Sequence, residues 1–293
     1  MGRLSDAFLK GPTGHFFEHD GVTLHYTDEG KGIPVLLVHG FAANGHLNWR
    51  FPGVTGILKK HYRVITMDCR GHGRSSKPQH HGAYGMNMVD DMAALLDHLE
   101  IRRAHIVGYS MGGFLGLAFA GKYPDRLITL TQGGSGWYPR DKYPALVQTV
   151  PAALDAGEGF EPIVRFMEQH NPLLLEQRIR FINRLLCRFN DCAAMARCFD
   201  EMQLLEGTEE QLRSSTVPHL TIMGTADPLR DAADYLCSIG KATHTMFWIE
   251  RADHTTTLAK RAHARTFTQK LIDFINNHTP QSTGTGSATA SAR

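Results

Sequence analysis

The chain has 293 residues, 42% of them hydrophobic and 20% charged, which suits one large packed core and excludes both a disordered chain and a minimal disulfide scaffold. Thirty-one Lys and Arg face 29 Asp and Glu, and the resulting net charge of +2 supplies no overall field to gather nucleic acid or an anionic membrane. Five cysteines, an odd number, argue for a reducing compartment, and residues 1–12 lack the apolar core of a secretory signal. No run approaches the roughly 18 apolar residues of a membrane span, so a cytoplasmic protein free of membranes is expected.

In chain order, the first expected element is a hairpin: Phe16–His19, the turn pair Asp20-Gly21, then Val22–Tyr26, read as two antiparallel edge strands. Continuous apolar runs at Val35–Val38, Arg63–Met67 and Ala104–Val107 suit strands buried on both faces. Met88, Met92, Leu95, Leu96 and Leu99 keep helical spacing between the second and third of these runs. A helix over Met111–Lys122, closed by Tyr123-Pro124, is followed by a strand at Leu127–Thr131. Strands alternating with helices predict an α/β protein with a mostly parallel, doubly wound sheet.

From Trp137 to Ser215 the strand pattern stops. Helical segments are expected at Ala145–Leu154, Phe160–Gln169, Leu173–Phe189 and Ala193–Leu205, so residues 135–215 read as a helical insertion. Strands return at His219–Met223 and Thr245–Ile249, and a helix over Ala262–Asn276 completes the body, expected as 1–134 plus 216–277. Residues 278–293, with no apolar face, read as a disordered tail.

Gly108-Tyr109-Ser110-Met111-Gly112 is a G-x-S-x-G placed between an apolar strand and a helix. A sharp turn there strains the serine backbone and lifts its hydroxyl to the end of the sheet, while the helix start offers backbone N–H groups to an oxyanion. A serine nucleophile needs a base and an acid to orient it. Asp227, in Gly224-Thr225-Ala226-Asp227-Pro228, and His254 each follow a strand by a short loop. Asp231 is the rival acid, better suited to a helix start. The loop His39-Gly40-Phe41-Ala42 offers the N–H of Phe41 as a second oxyanion donor beside that of Met111, with His39 as a loop-ordering residue.

Together these residues resemble the α/β-hydrolase family over about residues 15–277. The segment Asp68-Cys69-Arg70-Gly71-His72-Gly73-Arg74-Ser75 is similar to the family's D-x-R-G-x-G-x-S, which the resemblance makes structural, and residues 135–215 would be a lid over the nucleophile. Tyr109 before the serine departs from the G-N-S-M-G-G of the branch that cleaves carbon–carbon bonds. The resemblance implies a serine hydrolase with Ser110, Asp227 and His254 as its triad, acting on carboxylic esters of small to medium, largely apolar substrates. A carbon–carbon hydrolase, a lactonase, a lyase that uses the serine as a base, and a non-catalytic receptor of the same fold are the alternatives.

Trp137, at the entry to the insertion, is the expected pocket wall. The expected partner is a small-molecule substrate, without cofactor or metal; the sequence leaves the oligomeric state open. His15-Phe16-Phe17-Glu18-His19 matches a zinc-peptidase pattern that requires a helix, which Gly11, Pro12 and Gly14 oppose. Cys187, Cys192 and Cys198, placed on one helix, would not converge on an ion and read as core thiols.

Overall fold

The structure is a computed structural model and describes residues 11–139, 145–167, 169, 176–205, 207, 209–240 and 243–279. Leu173 and Leu174, and the expected tail from residue 280 on, lie outside the described residues.

Eight strands form one sheet in the order β1-β2-β4-β3-β5-β6-β7-β8. They are β1 (His15–His19), β2 (Val22–Glu29), β3 (Pro34–Val38), β4 (Arg63–Asp68), β5 (Ala104–Tyr109), β6 (Leu127–Gly133), β7 (His219–Gly224) and β8 (His244–Ile249). β1–β2 and β2–β4 pair antiparallel, and every later neighbour pairs parallel. The hairpin forms with the expected turn, but only β1 is an edge: β2 extends to Glu29 and pairs with β4 along Glu29–His25. The H-x-x-E-H run is strand β1, where His19 Nδ1 lies 2.8 Å from Asp91.

The apolar runs alternate faces as a doubly covered sheet requires. Leu36, Val38, Ile65, Met67 and Ile106 pack under α2 (Met86–His98) and α3 (Met111–Lys122). Val35, Leu37, Val64 and Val107 pack under α1 (Val54–Leu58) and the long C-terminal helix (Arg261–His278). That helix runs through His278, past the expected start of the tail. Short α1 and a single π-helical turn at His46–Arg50 escaped the periodicity reading because five residues carry too little of a 3.6-residue repeat.

Between β6 and β7 lie α4 (Leu146–Asp155), α5 (Glu161–Met167), α6 (Glu176–Phe189), α7 (Cys192–Met202) and α8 (Glu209–Ser214). Val150, Leu154, Phe160, Val164, Ile179, Met195 and Phe199 give this insertion its own apolar core. Helix α8, absent from the sequence reading, packs on the body instead: Leu212 joins the body core, and the Tyr235 hydroxyl donates to Glu209. The insertion is tied down by Glu201 of α7, whose buried carboxylate accepts from the N–H groups of Gly82 (2.6 Å) and Tyr84 (2.7 Å). Cys198 is a core thiol against Met88 and Met111, but Cys187 and Cys192 are only partly buried and lie on different helices, because the chain breaks at Asn190-Asp191.

Beneath the sheet's carboxyl edge the Asp68–Ser75 segment forms a buried polar knot. The Asp68 carboxylate accepts from Gly45 N, Arg74 N and His25 Nδ1, each at 2.9 Å. Burial raises its pKa, but the bond to His25 and the backbone donor of Arg74 outweigh this and hold it below the usual carboxylate value. Arg70 forms a two-pronged pair with Asp91 of α2, both bonds 2.6 Å and both side chains buried.

Several histidines are buried in neutral form. Burial pushes His72 down to about 3; His105, between the hydroxyls of Thr129 and Thr279, goes to about 4. His244, stacked 4.3 Å from His219, also falls to about 4 through burial. The unfolded chain binds these protons near pH 6.5 and the folded chain does not, so folding stability rises with pH through this range. Stability is expected to be fully present above pH 6.5 and to be lost progressively as pH falls towards about 4. Urea unfolding at stepped pH checks this; a stability that is flat or increases on acidification from pH 6.5 contradicts it.

Candidate active site

Each residue singled out at the sheet's carboxyl edge follows a different strand. Ser110 follows β5 and starts α3 at φ 52°, ψ −116°, a conformation that costs about 1–3 kcal/mol for a residue with a side chain. Two glycines permit it. A Cβ at position 108 would lie 2.0 Å from the Gly112 carbonyl oxygen, and one at position 112 would lie 2.2 Å from that of Val38. The first turn of α3 is thereby pressed onto β3 and β5, and the helix-start N–H of Met111, which has no partner in its own helix, stands beside the serine.

The loop after β3 approaches the same point, since a Cβ on Gly40 would be 3.3 Å from that of Ser110. His39 orders this loop: its Nδ1 bonds the Gly40 carbonyl at 2.8 Å, and its Nε2 accepts from Cys69 N at 3.0 Å. Burial lowers its pKa against the pull of Asp68, so the ring is a neutral brace. Asn48, on the π-helical turn, accepts from Gly40 N at 2.8 Å. Ala43 N donates back to the Gly40 carbonyl, and Ala42 at φ 56° takes the turn position usually held by glycine, with Phe41 between them.

Asp227 and His254 meet. His254 Nδ1 lies 3.0 Å and 3.2 Å from the two Asp227 oxygens, and Asp227 also accepts from Leu229 N at 2.9 Å. Asp227 is 2% exposed and His254 9%. Their loops are stitched together: Ala226 N donates to the Ala252 carbonyl and Arg251 N to the Thr225 hydroxyl. Asp231 is exposed in the first turn of α9 (Arg230–Ile239), away from the histidine partnership. Tyr109, fully interior, donates its hydroxyl to the His254 carbonyl at 2.5 Å; burial, then Asp227, raises its pKa far above the ordinary value, so it stays a donor.

Ser110 opens into two adjoining cavities. One, of about 140 Å³, is bounded by Phe41, Met111, Phe114, Trp137, Ile163, Phe199 and others, and none of its described lining residues carries a formal charge. The other, of about 190 Å³, is lined by Ser110, His254, Ala42, Ile182 and Leu186. Trp137 is on the wall of the first and stacks on Tyr235 at 5.7 Å. Of the apolar insertion residues, Phe166, Met167 and Phe199 reach the cavities, Phe160 and Met195 fill the insertion's interior, and Phe181 and Leu185 face outward. The sequence reading missed Asn48, which braces Gly40 from the π-helical turn, Gln203 on the wall of the first cavity, and the Tyr109 bond to His254, whose partners lie 145 residues apart; no motif marks them. Among the described residues no cluster of three His, Cys, Asp or Glu side chains is placed to hold a metal ion, and no helix is long and apolar enough to cross a membrane.

Residues 33–139 match the family model described as alpha/beta hydrolase fold. An esterase from Thermogutta terrifontis superposes with a TM-score of 0.70 over 90% of this chain and 97% of that one, at 24% identity. The chain has the α/β-hydrolase fold. Among curated relatives, an uncharacterized hydrolase YcgS of Bacillus subtilis is 41% identical over 113 residues, 38% of each chain. A 2-hydroxy-6-oxo-2,4-heptadienoate hydrolase of Pseudomonas putida is 37% identical over 153 residues, 51% of each. The chain thus spans 38% and 51% of the length of these two relatives. The Ser110 turn lies inside the matched segment, whereas Asp227 and His254 lie beyond it.

Tyr109→Phe leaves the buried His254 carbonyl without its donor. A stability loss of about 1–2 kcal/mol is expected in chemical denaturation. A variant as stable as the parent would show that this bond contributes nothing.

Proposed function

We propose that the protein is a serine hydrolase of carboxylic esters whose acyl part is uncharged and small to medium in size. The observation that carries this reading is the uncharged cavity of about 140 Å³ opening directly on Ser110, beside a hydrogen-bonded Asp227–His254 pair. With Nδ1 of His254 held by Asp227, the other ring nitrogen is left to take the Ser110 proton. Ser110 Oγ then attacks the acyl carbonyl, and the N–H groups of Phe41 and Met111 hold the oxyanion, worth about 3–4 kcal/mol for each donor. His254 passes the proton to the departing alcohol, and water, activated by the same histidine, releases the acid. The acyl group occupies the first cavity, comparable in size to the roughly 150 Å³ that accommodates benzene. The alcohol occupies the second, where His254 can protonate it.

The name of the Pseudomonas putida relative supports a second reading, hydrolysis of a carbon–carbon bond in an oxo-dienoate. Such a substrate is a carboxylate, and neither cavity has a Lys or Arg among its described lining residues to receive it, which favours the neutral ester.

Hydrolysis of p-nitrophenyl esters from acetyl to dodecanoyl is expected to peak at a short to medium chain, and Ser110→Ala to abolish it without unfolding. Asp227→Asn should lower turnover on the order of 10⁴-fold at neutral pH. Ala118→Phe, which fills the first cavity, should move the peak to shorter chains. Retained turnover in Ser110→Ala removes the mechanism. Silence on every ester, from protein that still reacts with a fluorophosphonate at Ser110, removes the ester assignment and favours the carbon–carbon reading.

A further inference from the structure

The overall charge of +2 conceals an uneven distribution. Helix α6 carries Arg178, Arg180, Arg184 and Arg188 against Glu176 alone, a net +3 on 14 residues. Glu176 is already engaged by Arg165 of α5, which also pairs with Glu161. All four α6 arginines are exposed. So are two large apolar side chains of the same helix, Phe181 at 59% and Leu185 at 41%.

These residues share one side of the helix. At about 100° per residue, Phe181 and Leu185 fall within roughly 40° of each other, with Arg178 just beyond Leu185 and Arg188 and Arg184 just beyond Phe181. The opposite side packs inward: Ile179 is buried, and Ile182 and Leu186 line the cavity that holds Ser110 and His254. One helix therefore presents cations around an apolar pair to the outside and a cavity wall to the inside.

We propose that the outer face of α6 docks the protein on an anionic lipid surface. The arginines would engage lipid phosphates while Phe181 and Leu185 enter the boundary between headgroups and acyl chains, the usual arrangement of an interfacial helix. Charge decides between occupants. A second copy meeting this face about a two-fold axis would set arginine against arginine, whereas an anionic bilayer complements Arg180, Arg184 and Arg188. The wall shared with the Ser110 cavity would then hold that cavity against the lipid. This goes beyond the ester reading and does not depend on it.

The test is co-sedimentation of the full chain, in the Ser110→Ala form so that no lipid is cleaved, with vesicles of phosphatidylcholine alone or in equal parts with phosphatidylglycerol. Binding is expected to the mixed vesicles at low salt, to weaken with added salt, and to fall about fivefold for each arginine removed in Arg180→Gln, Arg184→Gln and Arg188→Gln. Phe181→Ser with Leu185→Ser should weaken it further. These side chains are exposed, so thermal unfolding should be unchanged, and p-nitrophenyl acetate hydrolysis by the corresponding variants with Ser110 intact should equal the parent's. Equal partition to both vesicle types overturns the proposal, as does absence of binding at low salt. Concentration-dependent dimerisation abolished by Phe181→Ser, without vesicle binding, assigns the face to a second copy and also overturns it.

Discussion

The close approach of the first turn of α3 to strands β3 and β5 is the constraint on which the site depends. Any side chain at Gly108 or Gly112 would meet a carbonyl oxygen at about bonding distance, so only hydrogen at these two positions lets the helix begin so near the sheet. That contact turns the chain at Ser110 through a strained conformation, which the surrounding packing must hold in place. The same contact brings the helix-start N–H of Met111 and the loop carrying Phe41 to one point.

The parallel sheet accounts for the convergence of the other groups. Strand order reverses at β3, with β4 on one side and β5 on the other, which opens a crevice at the carboxyl ends of the strands. The loops after β3, β5, β7 and β8 all reach that edge, so residues nearly 150 positions apart meet without a long excursion of the chain. Main-chain bonds between the Asp227 and His254 loops fix the acid against the imidazole, and Tyr109 fixes the far side of the histidine segment. A buried Asp227 whose oxygens face His254 and Leu229 N is a charge held by its partners, in surroundings that strengthen each contact.

Polar interior groups hold the remaining parts in register. Asp68 ties the hairpin to the loop after β3, Arg70 joins that knot to α2, and Glu201 fastens the insertion to residues 82–84. Each removes one buried charge from water and satisfies it with fixed donors or an opposite charge, so a small displacement of either side leaves that charge short of partners. The insertion can then present one face of α6 to the cavities and the other to the surroundings.

Much of this was legible in the sequence because it rests on local patterns. The buried strands declared themselves as apolar runs, helix α3 as a stretch closed by Tyr123-Pro124, and the Ser110 turn as a motif whose glycines have a steric purpose. The elements that escaped were short or were defined by distant partners: the π-helical turn carrying Asn48, helix α8 on the body, the interior place of β2, and the meeting of the Cys187 and Cys192 thiols from two different helices. The sequence alone determined the α/β class and offered a short set of chemically apt residues, because periodicity and turn chemistry act over a few neighbours. The size and neutrality of the cavity at Ser110, the pairing of Asp227 with His254 and the outward face of α6 were decided only by tertiary structure, because each is a distance between segments that the chain brings together on folding.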